Sequence, residues 1–165
     1  MRPAFLLAAL FVLAGCQSPD TSVHDHMAQV SLTTNSDSLT YDYVSDGTRW
    51  LESGNLTIKM LLEASNFGSD HLEIGEITFP YTGQPGGGHI HQSDEVFYIL
   101  SGRFEHVVNG EANTLEPGGL AIVRKGDQVQ HTVLSEEGVK ALVIWTPGGE
   151  ADRLVGYGFS QRPVE

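Results

Sequence analysis

The sequence predicts an all-β domain, and three features of the 165-residue chain support this. From residue 41 onward, hydrophobic residues recur at every second position, which is the spacing of a strand with one buried face. Glycine, proline and asparagine interrupt these runs at short intervals, as they do in turns between strands. No window in this region keeps helical spacing over three turns. Short strands at this density are typical of a sandwich or a barrel, which protects the edges of its sheets.

The alternation divides this region into about eight strands. In the first of them, Leu56, Ile58 and Met60 share one face. For residues 46–53 the pattern is weaker, and we expect either a short helix or an irregular lead-in. The predicted strands cover residues 56–62, 71–81, 88–91, 95–100, 104–108, 120–123, 129–134 and 139–145.

The N-terminus has the pattern of an export signal. Arg2 precedes an apolar run at residues 4–13, which is too short to cross a bilayer as a mature helix. The run ends in Leu13-Ala14-Gly15-Cys16, which resembles the lipobox of bacterial lipoproteins. The resemblance implies that residues 1–15 are a lipoprotein signal peptide and that Cys16 carries the lipid. The alternative is an ordinary signal peptide followed by a free or buried cysteine.

Residues 16–40 are rich in serine, threonine, aspartate and asparagine, with few bulky side chains. Such a segment buries too little apolar surface to offset its ordering entropy, so we predict a flexible tether. Gln17, rather than an aspartate, follows the cysteine, which is similar to lipoproteins sorted to the outer membrane. We therefore expect a cell-envelope lipoprotein on the periplasmic face of the outer membrane, attached to the membrane only through its lipid anchor.

The charge balance argues against nucleic acid as a partner. The chain has 9 lysines and arginines against 21 aspartates and glutamates, for a formal net charge of −12. Neutralising phosphates requires clustered basic side chains, which this sequence lacks. Because its one cysteine is assigned to the lipid, we predict no disulfide, and the fold must depend on its core.

Two histidines and a glutamate are spaced for a shared site. His89 and His91 are two residues apart in a predicted strand, so both imidazoles lie on one face. Glu95 keeps this parity, and a turn at residues 92–94 would bring its carboxylate beside the two rings. Further along the chain, His131 is the next candidate member of this site.

His131 lies between Val129 and Val133, which share its parity, so it should face the interior. An inward histidine needs a polar partner. Three imidazoles and one carboxylate suit borderline divalent ions such as Fe(II), Mn(II), Co, Ni, Cu or Zn, and not calcium. The alternative is that these are core or surface histidines whose nitrogens bond backbone carbonyls.

The segment Gly83-x5-His89-x-His91-x3-Glu95-x6-Gly102 resembles the first motif of the cupin superfamily at every fixed position. The second motif is present in altered form as Gly118-x5-Arg124-x-Gly126, followed by His131. The family usually has proline in place of Arg124, and two residues rather than four between that glycine and the histidine.

The cupin resemblance implies a double-stranded β-helix, the small jelly roll, with a metal inside the barrel near one mouth. It implies a single cupin domain at residues 41–160 with a core at 56–149. Pro147-Gly148-Gly149 is similar to the stretch that follows the last strand in quercetin-dioxygenase-like cupins. The implied cofactor is one divalent transition metal, with Fe(II) or Mn(II) favoured over Zn, Ni, Co or Cu. Its implied ligands are His89, His91, Glu95 and His131.

From this resemblance we predict a metal-dependent enzyme with dioxygenase-like chemistry on a small oxygen-rich or phenolic molecule; isomerase and lyase chemistry are alternatives. A shell of neutral imidazoles and one carboxylate around a divalent ion would attract an anionic ligand. Glu95 is a candidate catalytic base as well as a ligand. Phe97 is a candidate apolar wall of the substrate pocket, and Tyr81 a candidate hydroxyl at its mouth.

Two other functions remain open: a non-catalytic metal-dependent module that binds or senses a small molecule at the cell envelope, and a structural cupin whose metal braces the barrel. Cupins commonly form dimers, so the resemblance also admits a homodimer. We expect His106 at the surface or beside the ligand shell, and the pattern assigns no role to His71, Arg103 or Arg124.

Overall fold

The computed structural model describes residues 44–165. The predicted signal peptide, the predicted lipid attachment at Cys16 and the predicted tether at residues 16–40 lie outside the described residues. Neither helix between residues 44 and 165 is long and apolar enough to span a membrane.

Within this range the chain forms eleven strands and two short helices. The helices are α1 (Ala64–Phe67) and α2 (Glu150–Gly156). The strands are β1 (Arg49–Ser53), β2 (Leu56–Leu62), β3 (Glu73–Phe79), β4 (His89–Ile90), β5 (Asp94–Ser101), β6 (Phe104–Val108), β7 (Glu111–Leu115), β8 (Leu120–Val123), β9 (Gln128–Val133), β10 (Val139–Thr146) and β11 (Ser160–Pro163).

The strands form two antiparallel sheets. The larger has seven strands in the order β11-β1-β2-β3-β10-β5-β8, and the smaller has four in the order β4-β9-β6-β7. Successive strands move between the sheets, because β4 lies in the small sheet while its chain neighbours β3 and β5 lie in the large one. This confirms the predicted all-β jelly-roll fold.

Alternating side chains fill the space between the two sheets. In β3 every second residue from Glu73 to Phe79 is buried. The Phe79 ring lies 4.9 Å from that of Phe104 on the small sheet and 6.0 Å from that of Phe97 on the large one. Each fully buried side chain of this kind stabilises the fold by about 1.5–3 kcal/mol. The aromatic cluster therefore joins the sheets directly below the predicted site.

Gly102, the last fixed glycine of the first motif, lies between β5 and β6. Its φ is +81°, in the left-handed region that favours glycine. A Cβ at this position would overlap the carbonyl oxygen of Gly138. Glycine is therefore required where the chain leaves the large sheet and enters the small one.

The sequence missed several elements. Residues 46–53, expected as a short helix or an irregular lead-in, contain β1, which pairs with both β2 and β11. Strands β7 and β11 were not predicted, and neither was α2. In β7 only Leu115 is partly buried, so the alternation of a half-buried strand is absent. The strands predicted beyond residue 56 all form, with ends shifted by up to two residues.

Candidate metal centre

A cavity of about 470 Å³ lies at one end of the barrel and is lined by strands of both sheets and by α2. Most of its wall is apolar, with residues such as Ile58, Ile77 and Phe97. The histidines and carboxylates in the wall are His89, His91, Glu95, His131 and Glu150, and Trp145 and Tyr157 also line it. The four ligands predicted from the sequence therefore line the same cavity.

The three predicted histidines meet ring to ring. His89 lies in β4, which pairs with β9 so that His89 is opposite Val129, two residues from His131. The centroid of the His89 ring is 4.8 Å from that of His91 and 5.4 Å from that of His131. His91 and His131 are buried, whereas His89 is exposed at the rim.

Glu95 is the most deeply buried polar member of the cluster, with 1% of its surface exposed. Its Oε2 atom accepts a hydrogen bond from Nε1 of Trp145 at 2.7 Å and lies 3.1 Å from Nε2 of His91. Its Oε1 atom and the Nε2 atom of His91 are buried without a hydrogen-bond partner. A buried polar atom left in this state is costly unless a bound group satisfies it.

In all three histidines Nδ1 has a neighbour. Nδ1 of His89 donates to the carbonyl oxygen of Gly87 at 3.2 Å. Nδ1 of His131 lies 3.3 Å from Nδ1 of His106, and Nδ1 of His91 lies 3.7 Å from a carboxylate oxygen of Glu150. A hydrogen-bond partner at one ring nitrogen leaves the lone pair of the other nitrogen available to bind a metal. Nε2 is therefore the candidate ligand atom in each ring.

His91 and Glu95 influence each other strongly. Burial raises the pKa of Glu95 to about 7, although the charge of His91 and the N–H of Trp145 act to lower it. Burial acts to lower the pKa of His91, but the carboxylates of Glu150 and Glu95 outweigh it and the pKa of His91 is raised. The pair therefore favours a positive charge between its head groups, either a proton or a metal ion.

The other imidazoles of the cluster favour the neutral form. Burial lowers the pKa of His89, lowers that of His106 to about 4, and lowers that of His131 well below its usual value. Neutral imidazole is the form that binds a metal. Burial would raise the pKa of Glu150, but its interactions with His91, Arg153 and the N–H of Gln92 lower it to about 2.

The donor set fits a divalent transition metal in its chemistry. Between residues 44 and 165, no three histidine, cysteine, aspartate or glutamate side chains already form a closed ligand cluster. The 3.1 Å between Nε2 of His91 and Oε2 of Glu95 is nevertheless suitable. Two adjacent ligands at right angles around an ion about 2.1 Å away are separated by about 3 Å. A metal at this site is therefore supported by the close approach of His91 to Glu95 and by the two buried atoms, Nε2 of His91 and Oε1 of Glu95, that lack a hydrogen-bond partner.

The two predicted pocket residues differ in position. Phe97 is 2% exposed, lines the cavity and packs edge-on against His131, with ring centroids 5.2 Å apart. Tyr81 is 47% exposed and lies outside this cavity. It lines an adjacent depression of about 570 Å³ that also reaches His89 and His131. His71, Arg103 and Arg124, to which the sequence pattern assigns no role, are exposed and line neither space.

The sequence missed three contributors to the site. His106, expected at the surface or beside the ligand shell, is buried beside His131, because β6 pairs with β9 so that the two residues are opposite each other. Trp145, the last residue of the predicted strand at 139–145, is a buried core residue that also holds Glu95. Glu150 gave no signal, since its position depends on how α2 packs. The period-two parity of His106 with Phe104 would have indicated its burial.

Comparisons with known proteins agree with this fold. Residues 75–146, which contain the four predicted ligands, match the family model described as a cupin domain. Among solved structures, the chain resembles an RmlC-like cupin from Shewanella frigidimarina NCIMB 400, with 23% sequence identity and a TM-score of 0.55 over 66% of this chain and 94% of that one. No curated protein gives a match.

Two further solved structures have the same fold. KdgF from Halomonas sp. is 18% identical, with a TM-score of 0.52 over 61% of this chain and 89% of that one. A predicted oxalate decarboxylase from Thermotoga maritima is 17% identical, with a TM-score of 0.53 over 62% of this chain and 94% of that one. At these identities the likeness shows the fold alone. Residues 75–146 are therefore similar to a cupin domain in sequence, and the solved structures share the fold of this domain.

Proposed function

We propose that the domain binds one divalent transition metal through His89, His91, Glu95 and His131 and is a metal-dependent enzyme with dioxygenase-like chemistry. The observation that carries this proposal is the pair formed by Nε2 of His91 and the carboxylate of Glu95, which are buried 3.1 Å apart. Both atoms are acceptors when deprotonated, so a cation is the natural group to lie between them.

In the proposed enzyme, the side chains around the metal have different roles. A bound metal supplies a Lewis acid that polarises the oxygen atoms of a substrate. Trp145 holds Glu95 in place through its N–H, and the unpartnered Oε1 atom of Glu95 is free to bind the ion or to accept a proton from substrate. Phe97 and the other apolar side chains exclude water from the reacting atoms.

The cavity wall favours a particular kind of substrate. Its apolar residues include Ile58, Ile77, Leu154 and Phe159, with the polar groups gathered around the histidines. A molecule with an apolar or aromatic body and oxygen donors at one end would match this distribution. A polyhydroxylated sugar would bury hydroxyl groups against these walls without partners, at a cost in binding. We therefore favour a phenolic molecule over a more uniformly oxygen-rich one.

Metal analysis of the full-length chain, purified in detergent, tests the proposal. We expect His91→Ala to lose stoichiometric metal, because it removes one of the two closest donors. His71→Ala is the matched control, since His71 is exposed outside the cavity. Elemental analysis of both variants measures the effect, and full retention of metal by His91→Ala would refute the ligand assignment.

The choice between enzyme and binding module is tested on the same preparation. Iron or manganese together with oxygen consumption in the presence of phenolic compounds would support the enzyme. Zinc without turnover would support the non-catalytic module. The cavity is compatible with both an enzyme and a non-catalytic binding module, so the measurement of turnover decides between them.

The lipobox-like sequence supports an anchored location for this domain at the cell envelope. We expect the full-length chain in a Gram-negative host to fractionate with the outer membrane, and Cys16→Ser to be lost from the outer-membrane fraction because it removes the lipid acceptor. Gln17→Asp is the companion variant and should shift the protein towards the inner membrane. Fractionation followed by immunoblotting measures both, and a Cys16→Ser variant that still fractionates with the outer membrane would contradict the anchor.

A further inference from the structure

We propose that Glu150, held by Arg153, is a positioning residue that orients the imidazole of His91 and fixes the turn between His91 and Glu95. This inference rests on the proposed metal site. Both residues belong to α2, which follows the cupin-domain match at residues 75–146, so the match itself assigns them no role.

The bend at Gln92 and Ser93 sets the distance between His91 and Glu95, and α2 holds both of these residues. The backbone N–H of Gln92 donates to Oε1 of Glu150 at 2.7 Å. Nη2 of Arg153 donates to Oγ of Ser93, which is fully buried, at 2.7 Å. A turn held by two side chains of a neighbouring helix has little freedom to move the residues on either side of it.

Glu150 also acts on the ring of His91 directly. It is 2% exposed, and Oε1 lies 2.9 Å from Nη2 of Arg153, which offsets the cost of burying its charge. Its Oε2 atom lies 3.7 Å from Nδ1 of His91. A negative charge on this side of the ring favours the tautomer with its proton on Nδ1, which leaves the lone pair of Nε2 facing Glu95.

The position of α2 is itself fixed by the barrel. The backbone N–H of Ala151 donates to Oε2 of the buried Glu73 on β3 at 3.0 Å, and Ala151 is fully buried. Leu154, one turn further along, lines the cavity. Helix α2 therefore forms part of the cavity wall and also contacts His91, and Glu150 is the side chain that does both.

A merely structural role would hold the helix against the barrel without affecting the ring of His91. Two measurements on the full-length chain separate these roles. The first is the tautomer of His91 in the metal-free protein, read from ¹⁵N NMR of the imidazole nitrogens at a pH above the raised pKa of this ring, where it is neutral. The second is the Kd for Co²⁺, followed by the visible spectrum of the bound ion. The melting temperature of the metal-free protein is recorded alongside.

We expect Glu150→Gln to shift the proton of His91 from Nδ1 towards Nε2 and to weaken Co²⁺ binding by about 10- to 100-fold, with a changed cobalt spectrum. The amide oxygen of glutamine still accepts from Gln92, so the change keeps the contact with the turn and removes the negative charge and the acceptor oxygen that face Nδ1 of His91. Asp152→Asn is the matched control, because Asp152 lies on the same helix with its side chain 77% exposed. It should leave both readouts unchanged.

Each outcome bears on the proposal. A Glu150→Gln variant with the wild-type tautomer and the wild-type Kd for Co²⁺ would overturn it, even if its melting temperature falls. If the wild type binds no Co²⁺, the proposed metal function fails, and the tautomer alone decides the role of Glu150. If Glu150→Gln does not fold, Ser93→Ala removes only the hydroxyl that Arg153 holds. It should weaken Co²⁺ binding severalfold, and unchanged binding would refute the fixed turn.

Discussion

At the scale of single residues, Trp145 shows how one side chain serves both the core and the site. Its ring is 2% exposed, and its N–H donates to the carboxylate of Glu95 at 2.7 Å. We expect Trp145→Phe to lower the free energy of unfolding by about 2–3 kcal/mol, since it removes buried volume and a hydrogen bond to a charged group. Metal binding should weaken about tenfold, because Glu95 loses the donor that orients it.

The matched control for this change is Trp50→Phe. Trp50 lies on β1 outside the cavity, where the side chains of Lys59 and Arg162 pack over its ring. Urea unfolding of the metal-free proteins and metal titration measure the two effects. Equal losses in the two variants would contradict a specific role for the N–H of Trp145.

The sequence alone indicated part of the candidate site, for a physical reason. His89, His91 and Glu95 are close in the chain, and the parity of a strand is a local property, so their common face could be predicted. The contact of His106 with His131 depends on the register between β6 and β9, which is set by pairing between distant segments. Glu150 depends on the packing of a seven-residue helix, which is too short to show an amphipathic period.

At the scale of elements, the strands that bury one face were predictable, whereas β7 and β11, which are exposed at almost every position, were not. Strand β10 alternates buried and partly buried residues over most of its length, and it lies between β3 and β5 in the large sheet. Strand β11 is exposed at all four positions and exists because it pairs with β1. The intrinsic strand propensity of exposed residues is a weak signal, so whether they form a strand depends on pairing with a distant segment of the chain.

At the scale of the whole molecule, the candidate ligands come from both sheets. His89 and His131 lie in the small sheet, Glu95 lies in the large one, and His91 follows β4 directly. A metal held by all four would connect the sheets at the end of the barrel. Since the unfolded chain does not hold these residues together, metal binding should stabilise the folded state.

We therefore expect removal of the metal by a chelator to lower the melting temperature of the full-length chain by roughly 10 °C, since a ligand at 100 times its Kd adds about 2.7 kcal/mol. Differential scanning calorimetry before and after chelation measures the change, and re-addition of the metal should reverse it. The His91→Ala variant is the control, because without one of the two closest donors its melting temperature should not respond to the chelator. A wild-type protein that melts at the same temperature with and without the chelator would show that no metal joins the two sheets. In that case the buried contact of His91 with Glu95 would have to be stabilised by a proton, the other positive charge that the pair favours.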